Sequence, residues 1–141
     1  MPRADFYLIA KPRFAEDPLL LVCELAKRSF SIDKPTLVLV RDAVQADLLD
    51  GKLWEFEDDV FLPHQIAGQD EDDDECPVLL VPPGVDVPDR PYILNLRDEP
   101  FRGTCERVLE VVPADPAARE PLRQRWRDYA ARGFEMHKHD M

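Results

Sequence analysis

The sequence predicts an α/β fold in which helices cover both faces of a mainly parallel sheet. Three observations predict it. Short apolar runs such as Leu19-Leu20-Leu21-Val22, Leu37-Val38-Leu39-Val40 and Val78-Leu79-Leu80-Val81 have the lengths of buried strands and helix stripes. Strand-like and helix-like patterns alternate from the N-terminus, as units with right-handed crossovers require. At 141 residues and 45% hydrophobic content, residues 1–141 suffice for a single domain with one core.

The first strand is expected at residues 4–10, where Phe6, Leu8 and Ala10 alternate with Asp5, Tyr7 and Ile9. With most of both faces apolar, it reads as central in the sheet. Asp17-Pro18 then has the form of a helix start, aspartate as cap and proline in the first turn, leading a helix to about Phe30. A strand follows at residues 36–40, and Asp42 caps a second helix that runs through Leu48 and Leu49 toward a stop at Gly51.

Beyond Trp54 and a segment at Val60 to His64, six acidic residues from Asp70 to Glu75 carry no apolar face, so residues 69–76 read as a solvated loop. Strands at 77–81 and 92–96 flank a connection whose four prolines forbid a helix. Residues 101–110 are expected to be helical and to end in an extended Val111-Val112-Pro113. Asp115-Pro116 repeats the cap-and-proline start, the last helix reaches about Arg132, Gly133 ends it, and residues 135–141 are expected to fray.

Composition removes several functions. The net charge of −11 repels a nucleic-acid backbone, so direct DNA binding is disfavoured. No apolar run reaches the roughly 20 residues that span a bilayer, and no signal-peptide pattern opens the chain, so a cytoplasmic protein is expected. Cys23, Cys76 and Cys105 are odd in number and widely spaced, which fits reduced thiols and no zinc site. The five glycines are isolated, and Lys11-Pro12-Arg13-Phe14-Ala15 follows the first strand where a phosphate turn would need glycine. No cofactor is expected. His137 and His139 lack a third ligand, so no metal site is expected either. His64 is the one histidine in the body of the fold. It reads as a hydrogen-bonded structural residue, with an enzyme using it as general base as the alternative.

The last helix stands out because the helical period organises its charges. Residues 119–132 hold five arginines and two acids, a local +3 on a protein that is otherwise −14. At 100° per residue, Leu122, Trp126, Tyr129 and Gly133 share a stripe. Arg119, Arg123 and Arg127 form a ridge on one side, with Arg125 and Arg132 on the other and Asp128 pointing away. One reading is an amphipathic helix packed on the sheet. The other is a site for an acidic peptide with apolar residues, because arginine forks hold carboxylates at two points beside apolar anchors.

Several motifs, in order, carry a family resemblance. They are Phe6-Tyr7-Leu8, Leu21-Val22-Cys23-Glu24-Leu25-Ala26, Leu53-Trp54, and Phe61-Leu62-Pro63-His64 with Ala67-Gly68. They continue with Ile93-Leu94-Asn95-Leu96-Arg97, Glu110-Val111-Val112-Pro113, and Arg125-Trp126-Arg127-Asp128-Tyr129 with Gly133-Phe134. Together they resemble the chi subunit of bacterial DNA polymerase III, a clamp-loader accessory protein. The resemblance implies a Rossmann-like domain without catalytic activity. It also implies two partners, the acidic C-terminal tail of single-stranded-DNA-binding protein and a psi subunit, with nucleic acid contacted only indirectly.

Carried over by position, the tail would meet Val112, Arg123, Trp126 and Arg127, with Tyr129 and Gly133 nearby. Trp126 stands where members often have tyrosine and Arg127 where they often have lysine. Both changes keep an aromatic face and a cation. The psi surface would include Trp54 and Phe61, whose other reading is a buried aromatic pair.

Overall fold

The computed structural model describes residues 1–56, 62–69 and 71–141. The elements run β1 (Arg3–Leu8), α1 (Pro12–Glu16), α2 (Pro18–Ser31), β2 (Thr36–Leu39), α3 (Ala43–Glu55) and β3 (His64–Ile66). After these come β4 (Val78–Val81), β5 (Tyr92–Asn95), β6 (Arg107–Val112), α4 (Arg119–Ala131) and β7 (Glu135–Asp140). Among the described residues the strands form one seven-stranded sheet in the order β3-β4-β2-β5-β6-β1-β7, with every pairing parallel.

The interior strands β2, β4 and β5 are buried at every position, as a sheet covered on both faces demands. One face packs Tyr7 and Ile9 with Leu21, Leu25, Leu49 and Leu53 from α2 and α3. The other packs Ala4, Phe6, Val108 and Val112 against Leu122 and Tyr129 of α4. Asp42 caps α3 by accepting the Gln45 N–H at 2.7 Å. Gly133, at φ +88°, ends α4 in the left-handed region. There the Phe134 N–H reaches back to the Tyr129 carbonyl and the two rings meet at 5.0 Å, a C-terminal cap with its apolar contact.

Five expectations are corrected. Residues 101–110 are not a helix: β6 begins at Arg107 and lies between β5 and β1. Phe101, Cys105, Val108 and Leu109 fit a helical period, but Pro100 and Gly103 interrupt it and Val108, Val111 and Val112 favour extended backbone. Pleating sends Val108 and Leu109 to opposite cores. The segment 135–141 is not frayed either, because β7 pairs with β1 along its length. Its mixed charges are what an edge strand carries.

Helix α3 continues through Gly51 to Glu55, since ending there would leave Leu53 without its buried place. Asp17 makes no side-chain cap; its carboxylate pairs with Lys52. Strand β1 is second from the edge rather than central. In the acidic loop, residues 73–75 form a 3-10 turn pinned by Asp73, which accepts from Gly68 N at 2.8 Å and Gln65 Nε2 at 2.6 Å. Residue 70 of that run lies outside the described residues.

Candidate functional site

The geometry of α4 begins with a buried carboxylate. Glu110 sits on β6 facing α4, 0% exposed. Arg125 Nη1 donates to its Oε1 at 2.6 Å, while the Tyr129 hydroxyl at 2.7 Å and Asn95 Nδ2 at 2.9 Å donate to Oε2. Tyr129 Oη in turn accepts the Phe101 N–H at 2.8 Å. Burial pushes the Glu110 carboxyl up from its ordinary range, and Arg125 with the neutral donors pulls against it. Burial and the adjoining carboxylate likewise push the Tyr129 phenol up, so it stays a donor.

Arg125 and Tyr129 are four residues apart and so face the sheet together. Their bonds fix the rotation of α4, and that rotation turns Arg123, Trp126 and Arg127 toward the β1 and β7 side. A pocket of about 280 Å³ results. Phe6 and Leu8 of β1, Val112 of β6 and Leu122 give it apolar walls, and Trp126 stands edge-on to Phe6 at 5.1 Å. Among the described residues Arg119, Arg123, Arg127 and Lys138 supply four cations, and no acidic residue lines it. Arg119 is held by the Pro113 carbonyl and Arg123 touches Glu120 at 3.3 Å. Arg127 is exposed, and no carboxylate among the described residues engages it.

Val112, Arg123, Trp126 and Arg127 are therefore brought into one pocket. Tyr129 and Gly133 are not part of its lining: Tyr129 is buried beneath the helix, and Gly133 is its terminus. Arg125, read from periodicity as flanking the stripe, is buried. Asp128 points away from the pocket and pairs with Arg102 and Arg132. Sequence reasoning missed Lys138, because a strand of alternating charges looks like a polar tail. It also missed Glu110, because a lone carboxylate in an expected helix reads as solvated. The motif residues Asn95, Glu110, Arg125 and Tyr129 turn out to be one hydrogen-bonded network.

Trp54 lies in the last turn of α3, 62% exposed, with its ring edge-on to His64 at 5.0 Å. This overturns the buried-pair reading for Trp54; Phe61 lies outside the described residues. The His64 side chain is buried, with Nδ1 at 2.7 Å from the Leu62 carbonyl and Nε2 at 3.2 Å from Asp50, off hydrogen-bond geometry. Of the cysteines, burial pushes the Cys23 thiol up to about 12 and the Cys105 thiol up to about 11. Burial also raises Cys76, with the Asp72 and Asp73 charges adding less.

Fold and site together define a parallel α/β domain with a cation-rimmed apolar pocket near one sheet edge. Residues 1–137 match the family described as DNA polymerase III chi subunit, HolC. The chain belongs to that family. It is 34% identical to the DNA polymerase III subunit chi of Pseudomonas aeruginosa, over 99% of this chain and 96% of that protein. It is 26% identical to the Escherichia coli subunit of the same name, over 96% of each. Among solved structures it is similar to the C-terminal domain of the DEAD-box protein Dbp5, with TM-score 0.69 and 13% identity over 99% of this chain and 90% of that one. It is also similar to the yeast DEAD-box splicing factor Prp28, with TM-score 0.57 and 14% identity over 96% of this chain and 35% of that one. At such identities the likeness is one of fold alone.

Proposed function

We propose that this protein is a non-catalytic accessory subunit of a bacterial DNA polymerase III, working in the cytoplasm as a single domain of residues 1–141. Its α4 pocket captures the acidic C-terminal tail of single-stranded-DNA-binding protein. The observation that carries the reading is the pocket's composition, apolar walls under four cations with no acid among the described lining residues. Such a site matches a peptide whose apolar end enters beside Val112 and Trp126 while its carboxylates meet Arg123, Arg127 and Lys138. Nucleic acid is then reached through the bound protein, consistent with a net charge of −11.

Calorimetric titration of the tail peptide at two salt concentrations tests the assignment. Affinity about micromolar at low salt, falling with added salt and strongly reduced in Arg127→Ala, is expected. Equal affinity for both proteins sinks the site, and absence of binding at low salt sinks the function. The psi subunit is assigned to the surface at Trp54 and Phe61, supported by the exposure of Trp54. Trp54→Glu is expected to abolish co-purification with psi while leaving tail binding intact.

A further inference from the structure

The carboxyl ends of β2, β5 and β6 open into a second cleft of about 730 Å³, bordered by α2 and α3 on one side and α4 on the other. In open parallel sheets, ligands bind in the crevice outside these strand ends, near the point where strand order reverses. Here β1 lies beyond β6, and the chain returns through α2 to β2 on the opposite side of β5 and β6. The volume suits a small organic ligand, for which about 300–1,000 Å³ is usual.

Arg125 reaches this cleft from α4 while only 6% exposed. Its hydrogen bond to Glu110 uses Nη1, and Nε is buried with no partner among the described residues. In a planar guanidinium, Nε and Nη2 share one edge, which takes both oxygens of a carboxylate or phosphate side-on. Among the described residues no hydrogen bond engages that edge. Arg41 and Arg97 line the same cleft, Arg97 held rigidly by the Val40 and Val81 carbonyls at 3.1 and 2.9 Å. Asp42 and Asp98 oppose them: Asp42 caps α3 through Oδ1, while its Oδ2 lies 3.6 Å from Arg41 Nε in an exposed ion pair that an incoming anion would exchange. Val22, Leu96 and Leu122 provide apolar wall, with Val44 and Leu48 exposed in the lining.

We infer that this cleft is a second site, separate from the peptide pocket, for a small oxyanion ligand: a carboxylate or phosphate monoester on an apolar body. Its anionic group meets the unpartnered Nε–Nη2 edge of Arg125, with Arg41 at the rim, and its body lies against the apolar walls. Among the described residues Leu122 is the one that the two sites share.

Nuclear magnetic resonance titration of the full chain with phenyl phosphate, benzoate and inorganic phosphate tests this, each against sodium chloride at equal ionic strength. Saturable shifts at Gln45, Leu96 and the Arg125 Nε–H are expected, stronger for phenyl phosphate than for inorganic phosphate. The better of phenyl phosphate and benzoate identifies the anion. Arg41→Ala and Val44→Glu, both at exposed positions, each weaken affinity about fivefold, and Arg127→Ala leaves it unchanged. Shifts that follow ionic strength alone, shifts confined to Arg123, Trp126 and Arg127, or affinity indifferent to both cleft substitutions overturn the inference.

Discussion

Arg125 and Glu110 meet as a buried ion pair, Nη1 to Oε1 at 2.6 Å, between helix α4, which carries the cation-rimmed pocket, and the strand beneath it. Removing one member of such a pair strands the other charge away from water, which costs about 3–5 kcal/mol. Glu110→Ala is therefore expected to lose that much in urea denaturation. Glu110→Gln, which keeps shape and an acceptor but no charge, falls between it and wild type. A loss below about 1 kcal/mol for Glu110→Ala would remove the pair's anchoring role.

Lys138 is the pocket cation contributed by β7 rather than by α4. Lys138→Glu is expected to weaken the tail peptide about tenfold or more, by replacing an attraction with a repulsion at the same rim. Its thermal midpoint should stay within a degree or two of wild type, since the side chain is exposed. Unchanged affinity in calorimetry would exclude β7 from the site.

Strand β7 makes a second prediction through its backbone. Glu135 N–H donates to the Pro2 carbonyl and Met141 N–H to that of Leu8, so the parallel register directs the amides of His137 and His139 to β1 as well. Hydrogen exchange should show protection at 135, 137, 139 and 141, with fast exchange at 136, 138 and 140. Uniformly fast exchange would restore the frayed tail that the sequence suggests.

Gly51 sits inside α3, exposed, and an added Cβ there would meet nothing within 4 Å. Gly51→Ala is expected to stabilise the protein by about 0.5–1 kcal/mol, because alanine loses less backbone freedom in a helix. A fall in the urea midpoint would contradict this.

The Cys23 thiol, pushed up to about 12 by burial, links stability to alkaline pH. The folded chain keeps a proton that the unfolded thiol releases above about 8.5. The thiol's contribution is thus complete below that value and is lost as pH rises toward 12. Between pH 9 and 11 the slope from this group is about 1.4 kcal/mol per unit. Urea midpoints across that range should fall less steeply in Cys23→Ala than in wild type; parallel slopes would refute the linkage.

Much of the α4 site was legible because a helix's own period decides which residues share a face. Val112, Arg123, Trp126 and Arg127 converge as the ridge and the motif order imply, and the cap at Gly133 falls where the left-handed turn is needed. Phe6 and Leu8 carried a signal as well, in the alternation of the first strand. Glu110 and Lys138 carried none, since a charged residue is ordinarily solvated and only its neighbours in space make it otherwise.

By itself the sequence determined a parallel α/β architecture, the lack of a glycine turn for phosphate, and a positive, aromatic C-terminal helix on an acidic protein. These are local properties, readable from runs, caps and periods. Tertiary structure alone decided that residues 107–112 are an interior strand, that residues 135–140 close the sheet edge, and that Arg125 faces inward to Glu110. Strand pairing and charge burial depend on contacts between residues distant in the chain, and a six-residue segment with mixed period is settled only by the partner it finds.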